Sequence, residues 1–249
     1  MARPLLEVIR VEKTYPNGVQ ALAGVDLRIK KGETVALVGE SGSGKTTLLR
    51  IFNRLVEPTS GEALIDGKPS SEVDPIHLRR STGYVQQEGG LLPHWTAGRN
   101  VALVPFLLGW EERSRQRRAR ELLDLVGLEA ERYHDRYPRE LSGGERQRVA
   151  FARALATDPE VILLDEPFGA LDALTRLDLQ DQFLKLKRAL HKTLVLVTHD
   201  LSEAFRLADK IVVMKDGRVL QEGTPQDLRG NPAPGYVAAL LGRMGAGDP

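Results

Sequence analysis

The 249-residue sequence contains no cysteine, which excludes a disulfide framework and a thiolate metal site and fits a reducing compartment. Aromatic residues are sparse, at 5% of the chain. Charge of one sign is also missing. Against 35 lysine and arginine residues stand 34 aspartates and glutamates, a formal net charge of +1, which rules out any global pull toward nucleic acid or anionic lipid and leaves only local patches. No apolar run approaches the about 18 consecutive residues that mark a membrane span, and the start, Met1-Ala2-Arg3-Pro4, lacks the apolar core of a secretion signal. The chain is therefore expected to be soluble by itself; for work at a membrane another subunit would have to supply the spans. Internal repeats and low-complexity tracts are absent too. What is present is ordinary for a globular protein: 41% hydrophobic and 28% charged residues. The length suits one large α/β domain, or a core with a smaller insert, burying roughly 70% or more of its extended surface.

The most informative stretch is Gly39-Glu40-Ser41-Gly42-Ser43-Gly44-Lys45-Thr46, between the apolar run Thr34 to Val38 and a periodic segment from Thr47 to Leu55. Strand, glycine loop and helix form the context in which G-x-x-x-x-G-K-T spacing points to an anion, because the loop amides and the first helical turn converge on one spot. Gly39, Gly42 and Gly44 let the backbone curl without Cβ clashes, Lys45 can reach β- and γ-phosphates, and the Thr46 hydroxyl can take a place on magnesium. A glycine-rich turn that only caps a helix would leave the Lys-Thr pair unaccounted for. The loop implies a nucleoside triphosphate.

Before it, Leu5 to Val11 and Val25 to Ile29 alternate as strands, separated by Pro16-Asn17-Gly18. After it come a short strand, Glu62 to Ile65, a turn at Asp66-Gly67, a short helix within residues 70–82 and a brief strand, Gly83 to Val85. From about Thr96 to Pro138 no strand is expected. There Leu107-Leu108, Leu122-Leu123, Leu125-Val126 and Leu128 recur near a helical repeat, reading either as a small helical insert with its own apolar seam or as helices that cover the parent sheet. The α/β pattern resumes with strands at Val161 to Leu164 and Thr193 to Val197, joined by a helix from about Asp172 to Leu190, which marks a parallel sheet. A hairpin turning at Asp216-Gly217 and short helices near Pro225 to Leu228 and Pro234 to Leu241 complete the pattern, with the end from Gly242 expected to be frayed.

Three further groups carry chemistry. Asp165 and Glu166 end an apolar strand, where one carboxylate can hold magnesium and the other can orient or deprotonate water; helix-start carboxylates would look similar in isolation. Thr198-His199-Asp200 follows the next strand. Asp200 with Glu203 reads as a helix cap, and His199 is either a contact to a terminal phosphate or a structural histidine. In Leu141-Ser142-Gly143-Gly144-Glu145-Arg146-Gln147, Ser142 and Glu145 form a capping box at a positive helix end that could hold a second anion. Capping alone does not explain the double glycine.

These motifs, with Asp165-Glu166-Pro167 and Gly169-Ala170-Leu171-Asp172, stand in an order that resembles the nucleotide-binding subunit of ATP-binding-cassette (ABC) transporters, and the likeness runs from about Leu5 to Leu241. The resemblance implies an α/β fold: a P-loop NTPase core with a mainly parallel sheet, an N-terminal antiparallel β subdomain and an inserted α-helical subdomain. It implies one domain over residues 1–241, with a RecA-like core at 1–90 and 160–241, helices at about 91–159 and a flexible tail at 242–249. In the family two copies pair head to tail around two Mg-ATP. ATP and magnesium are thus the implied cofactors, and a second copy of the chain the implied partner. Nucleotide contacts would come from Tyr15, which would stack on adenine, from Gly39, Glu40, Ser41, Gly42, Ser43, Gly44, Lys45, Thr46 and Thr47, and across the dimer from Ser142, Gly143, Gly144 and Gln147. Asp172 would connect the two sites. Glu166 would be the general base, His199 and Lys45 would hold the γ-phosphate, and Thr46, Gln87 and Asp165 would serve magnesium. Of the pair Gln86-Gln87, the second aligns better with the family's glutamine.

The resemblance also implies permease subunits of the membrane that contact residues 88–110, an extracytoplasmic substrate-binding protein as an indirect partner, and a peripheral place on the cytoplasmic face of a bacterial inner membrane. Tyr84 to Gln87, Gly90 to His94, Asp165 to Asp172 and Asn231-Pro232-Ala233 look like importers of glycine betaine, choline and carnitine; Glu88-Gly89 departs from that subgroup. Importers of amino acids, sulfonates or other small solutes are the alternative. ATPases of DNA repair or chromosome maintenance are the different-class alternative, but they usually carry a long coiled coil or a zinc module, and nucleic acid is not an expected partner. A GTPase would show an Asn-Lys-x-Asp run, which is absent.

Overall fold

The computed structural model describes residues 3–87, 89–169 and 171–245. The chain begins with strands β1 (Leu6–Thr14), β2 (Gln20–Ile29) and β3 (Thr34–Val38), helix α1 (Lys45–Ile51), strands β4 (Ser60–Ile65) and β5 (Lys68–Pro69), helix α2 (Pro75–Ser81) and strand β6 (Thr82–Val85). Helices α3 (Ala97–Val101), α4 (Leu103–Leu107), α5 (Glu112–Leu125), α6 (Ala130–Tyr133) and α7 (Gly143–Ala154) follow. The remainder is β7 (Val161–Asp165), α8 (Ala173–Leu190), β8 (Thr193–Thr198), α9 (Leu201–Leu207), β9 (Lys210–Lys215), β10 (Arg218–Gly223), α10 (Pro225–Gly230) and α11 (Tyr236–Gly245). Two compact units emerge, one made of the residues up to Arg79 with those from Thr193 onward, the other of Arg80–Lys192.

In the first unit, β1 pairs antiparallel with both β2 and β4, and β4 with β5. Leu6, Val8 and Val11 of β1 and Leu22, Val25, Leu27 and Ile29 of β2 are buried while polar neighbours face out, the alternation of a sheet covered on one side. By contrast, β3 is buried along its whole length and lies parallel between β8 and β9, as a strand covered on both faces requires. Its register with β8 pairs Val38 with Thr198, so the two strands end level. β10 returns antiparallel to β9 through Asp216 and Gly217, both at positive φ (47° and 72°), the backbone that a two-residue hairpin turn demands.

The second unit pairs β6 parallel with β7 and carries helices α3 to α8. On α5, Ala119, Leu122 and Leu123 are buried, and Val126 and Leu128 continue that stripe. The expected seam is narrower than the sequence suggested: Leu107, Leu108 and Leu125 are exposed. Leu125 lies more than a right angle from the centre of the α5 stripe, and the stripe is complete without it. Phe151, Phe168 and Phe183 gather α7, the turn after β7 and α8, with ring centroids 6.0 to 6.3 Å apart.

The expected architecture is present: α/β, with an N-terminal antiparallel sheet, mainly parallel core strands and an inserted helical stretch. Some boundaries differ. α1 stops at Ile51 instead of reaching Leu55, because Arg54 turns to positive φ (56°) and its guanidinium is drawn to the carbonyls of Ser70, Ser71 and Val73. The 70–82 segment is a short helical turn at Ser70–Glu72 followed by α2. The expected helical subdomain at 91–159 lies within the second unit, α11 extends past Gly242 to Gly245, and the rest of the expected tail lies outside the described residues.

Phe168 is fully buried, so Phe168→Ala is expected to lower unfolding stability by about 3–5 kcal/mol. Urea titration of the purified chain measures this, and a loss below about 1 kcal/mol would reject the triad as a core element.

Candidate active site

In the first unit the sequence's strongest motif makes a closed curl. An added Cβ at Gly39 would lie 2.2 Å from the Met214 carbonyl oxygen, and one at Gly44 2.4 Å from that of Ala21, so neither position accepts a side chain. At Gly42 an added Cβ would meet nothing within 4 Å, so that rim of the loop is open. Lys45, only 5% exposed, donates from Nζ to the Gly39 and Glu40 carbonyls at 2.8 Å each and to Ser43 Oγ at 3.3 Å. Gly44, with φ at 99°, precedes α1, leaving the first-turn amides of Lys45, Thr46 and Thr47 at the helix's positive end. Ser41 and Glu40 form the exposed side of the loop.

Tyr15 and His199 share this unit. The Tyr15 backbone closes a turn with Gly18 and Val19, while its hydroxyl is 3.2 Å from Thr47 Oγ1, so it is both a turn residue and a neighbour of the loop helix. His199 is exposed immediately after Thr198, at the strand end level with the end of β3. The capping expected from Asp200 and Glu203 is different. Asp200 Oδ1 accepts from the Ser202 amide at 2.8 Å and its hydroxyl at 2.6 Å, whereas buried Glu203 accepts the Thr198 hydroxyl at 2.6 Å. Glu203 is turned inward because Thr198 offers a buried donor that a solvated cap would leave unpaired.

In the second unit Asp165 is buried at the end of β7 and accepts the Tyr84 hydroxyl at 3.2 Å. Glu166 leaves the strand at positive φ (46°), a backbone that costs a residue with a Cβ about 1–3 kcal/mol and tends to persist where function requires it. Gln87 is exposed. Gln86 lies over Gly90, where an added Cβ would be 2.5 Å from its Oε1. Two residues that no sequence pattern flagged shape this loop. Arg153 of α7 donates to the Gly89 and Gly90 carbonyls, at 2.8 Å each, and burial pushes its pKa below the usual guanidinium value. Buried Asn100 accepts the Leu92 amide at 2.7 Å and donates to the carbonyls of Leu92, Trp95 and Thr96 at 3.0 to 3.1 Å, pinning the following turn.

The helix start at Ser142 has the expected box: Ser142 Oγ accepts the Glu145 amide at 3.2 Å, and Glu145 Oε2 accepts the Ser142 amide at 2.7 Å. Ser142 and Gly143 are exposed. Gly144 has a packing reason that local sequence hides, since a Cβ there would be 2.5 Å from the Thr175 methyl, whereas at Gly143 the nearest atom would be 3.5 Å away. Gln147 is buried against Gly89, and among the described residues its Nε2 atom has no hydrogen-bond partner. Asp172 caps α8, accepting the Thr175 amide at 3.0 Å, and hydrogen bonds from the Thr175 side chain and then its amide hold the carboxyl below the usual range.

Comparison with known proteins agrees with this geometry. The family model described as ABC transporter matches residues 22–169. The chain belongs to this family. It is 52% identical, over 96% of its length, to the choline transport ATP-binding protein OpuBA and to the glycine betaine/carnitine/choline transport ATP-binding protein OpuCA, both of Bacillus subtilis (strain 168). It spans about three fifths of the length of these curated relatives, 62% and 63%. Among solved structures it resembles the dimeric post-hydrolysis state of the ATP-binding cassette MJ0796 bound to ADP and Pi, at 40% identity and a TM-score of 0.79, over 88% of this chain and 98% of that one.

As an ABC cassette the chain has the P-loop NTPase fold, for which ATP and magnesium are the expected ligands. Its residues fit them. The pressed outer side and open rim of the glycine loop, together with the Lys45 ammonium, suit phosphate; Thr46 in the first unit and Asp165 in the second are each hard oxygen donors of the kind magnesium prefers.

The second unit of the cassette also makes a pH prediction. Burial pushes the Glu145 carboxyl up, but hydrogen bonds from the Tyr133 hydroxyl at 2.6 Å and from Ser142 outweigh it, holding the group below the ordinary carboxylate range. A carboxyl lowered in the folded state adds stability above its unfolded pKa and loses it as pH falls through the folded pKa. Tyr133→Phe is expected to move the Glu145 titration upward and shift that loss to higher pH. Carbon NMR of the carboxyl checks this, and an unmoved midpoint would contradict the assignment.

Proposed function

We propose that this cassette is the ATP-hydrolysing subunit of an importer for small quaternary-amine osmoprotectants such as glycine betaine, choline or carnitine, acting as a homodimer on a separate membrane permease. The observation that carries the cargo class is the 52% identity, over 96% of the chain, to relatives named for choline and for glycine betaine, carnitine and choline transport.

In this reading each ATP lies between the phosphate loop of one copy and the Ser142 loop of the other. Tyr15 stacks on adenine, the amides from Gly39 to Thr47 and the Lys45 ammonium bind the phosphates, and Thr46, Asp165 and Gln87 serve the magnesium site. Magnesium supplies charge neutralisation on the phosphates. Glu166 takes a proton from the attacking water at its carboxylate, with a turned backbone that fixes where the side chain leaves the strand. His199 donates toward the γ-phosphate. Ser142, Gly143, Gly144 and Gln147 close the pocket from the second copy, and Asp172 links the two pockets.

Permease contact belongs to residues 88–110. Support comes from exposed apolar side chains there, Leu92, Phe106, Leu107, Leu108 and Trp110, which are 38% to 51% exposed in the described structure and leave apolar surface that a partner can bury. Among the described residues no helix is long and apolar enough to cross a membrane, which accords with a peripheral place on the cytoplasmic face and spans supplied by the permease. An extracytoplasmic binding protein is the indirect partner that delivers the solute.

Two measurements test the proposal. Glu166→Gln is expected to lower turnover about 10²–10⁴-fold while MgATP still binds and a stable dimer accumulates; loss of binding together with turnover would count against the base. With its permease and binding protein in vesicles, turnover should rise with betaine, choline or carnitine. Stimulation by amino acids or sulfonates instead would overturn the cargo class.

A further inference from the structure

The phosphate loop is also held from the C-terminal helix. The Glu40 amide donates to the Tyr236 hydroxyl at 3.2 Å. Tyr236 opens α11; its ring packs against the cluster formed by Ala36 and Val38 of β3 with Leu201, Ala204 and Val237, and Lys215 Nζ lies 4.6 Å from the ring centroid. The chain leading into α11 is itself seated on β10, because the Gln221 side chain donates to the Asn231 carbonyl at 2.9 Å and accepts the Ala233 amide at 2.7 Å. Every residue in this path belongs to the first unit.

What makes the contact consequential is the other end of the same residue. The Glu40 carbonyl accepts a hydrogen bond from Lys45 Nζ at 2.8 Å. Tyr236 therefore fixes, through Glu40, the residue whose carbonyl helps set the Lys45 ammonium. Gly39, one residue earlier, is pressed against the Met214 carbonyl, and the Glu40 carbonyl is tied within the loop, accepting the Ser43 amide at 3.2 Å as well as Lys45 Nζ, so the Tyr236 hydroxyl adds a tie on Glu40 from outside the loop.

We infer that Tyr236 is a positioning residue of the nucleotide site, acting through the Glu40 amide on Lys45, and that α11 is a brace for the phosphate loop. The inference rests on the reading of Gly39 to Thr46 as the ATP cradle. A phenylalanine would keep the ring packing and lose only the acceptor oxygen, so the hydroxyl is the group that carries the effect.

Tyr236→Phe in the full chain isolates it. A neutral hydrogen bond has a modest net value, so amide exchange at Glu40 and KM for MgATP are each expected to rise about two- to tenfold. kcat stays within about twofold, and the thermal midpoint changes little because the ring remains. Gln221→Ala, which loosens the seat of α11 while leaving the hydroxyl in place, is expected to move Glu40 exchange in the same direction. Wild-type exchange and wild-type KM in Tyr236→Phe overturn the inference; so does a lower thermal midpoint with unchanged KM, which is what packing alone would give. A wild-type chain that binds no MgATP overturns the ATP reading together with it, and is recognised before any substitution is made.

Discussion

The steric closeness of backbone to backbone around the glycine loop governs the first unit. Carbonyl oxygens of Met214 and Ala21 come so near Gly39 and Gly44 that a Cβ would sit 2.2 and 2.4 Å from them, and a carbonyl cannot change rotamer to make room. The loop is thereby gripped between the end of β9 and the start of β2. Gly217 adds a hydrogen bond from its amide to the Ser43 carbonyl at 3.2 Å and accepts one from the Ala23 amide at 2.9 Å. The antiparallel sheet, the β9–β10 hairpin and the phosphate loop thus hold one another. Removing any of the three would free a loop whose curl sets Lys45 and starts α1.

Within the second unit, α7 plays the corresponding part. Its start presents Ser142, its middle buries Gln147 against Gly89, and its last turn carries Arg153 to the Gly89 and Gly90 carbonyls. Hydrogen bonds to a charged donor are worth about 1.5–3 kcal/mol each, so the loop after Gln87 is tied to the helix more firmly than a solvated loop would be. A displacement of either one has to move the other or break that clamp. The turn at Glu166 and the packing of Gly144 on Thr175 then place β7's end and α8's start against the same helix system.

Much of this was legible in the sequence wherever the chemistry is local. Gly39 to Thr46 carries its own flanks, the Ser142 to Glu145 box lies within one turn, and Asp216-Gly217 states its turn type in two residues. The strands followed from alternation or from continuous apolar runs. Illegible features are those whose partner is remote. Thr175 explains Gly144, Arg153 explains the course of Gly89 and Gly90, Thr198 draws Glu203 inward, and Tyr236 reaches Glu40 across most of the chain. No periodicity encodes such pairs, because each is a single contact fixed by packing. Leu107 and Leu108 misled for the opposite reason: their spacing suits a core, yet both are exposed.

The two glycines after Ser142 show how packing and chemistry divide. At Gly144 an added Cβ would lie 2.5 Å from the Thr175 methyl, so packing already favours glycine there apart from any ligand. Gly143 has no such demand, and it is exposed beside Ser142. As N-cap, Ser142 accepts the Glu145 amide through its oxygen, and that bond does not use the hydroxyl proton. The first-turn amides of α7 have no intrahelical acceptor by the geometry of a helix start. Leu174, near the start of α8 in the same unit, is 81% exposed. A donor-rich helix start of this kind suits an anion, and in the proposed reading that anion is the nucleotide of a second copy.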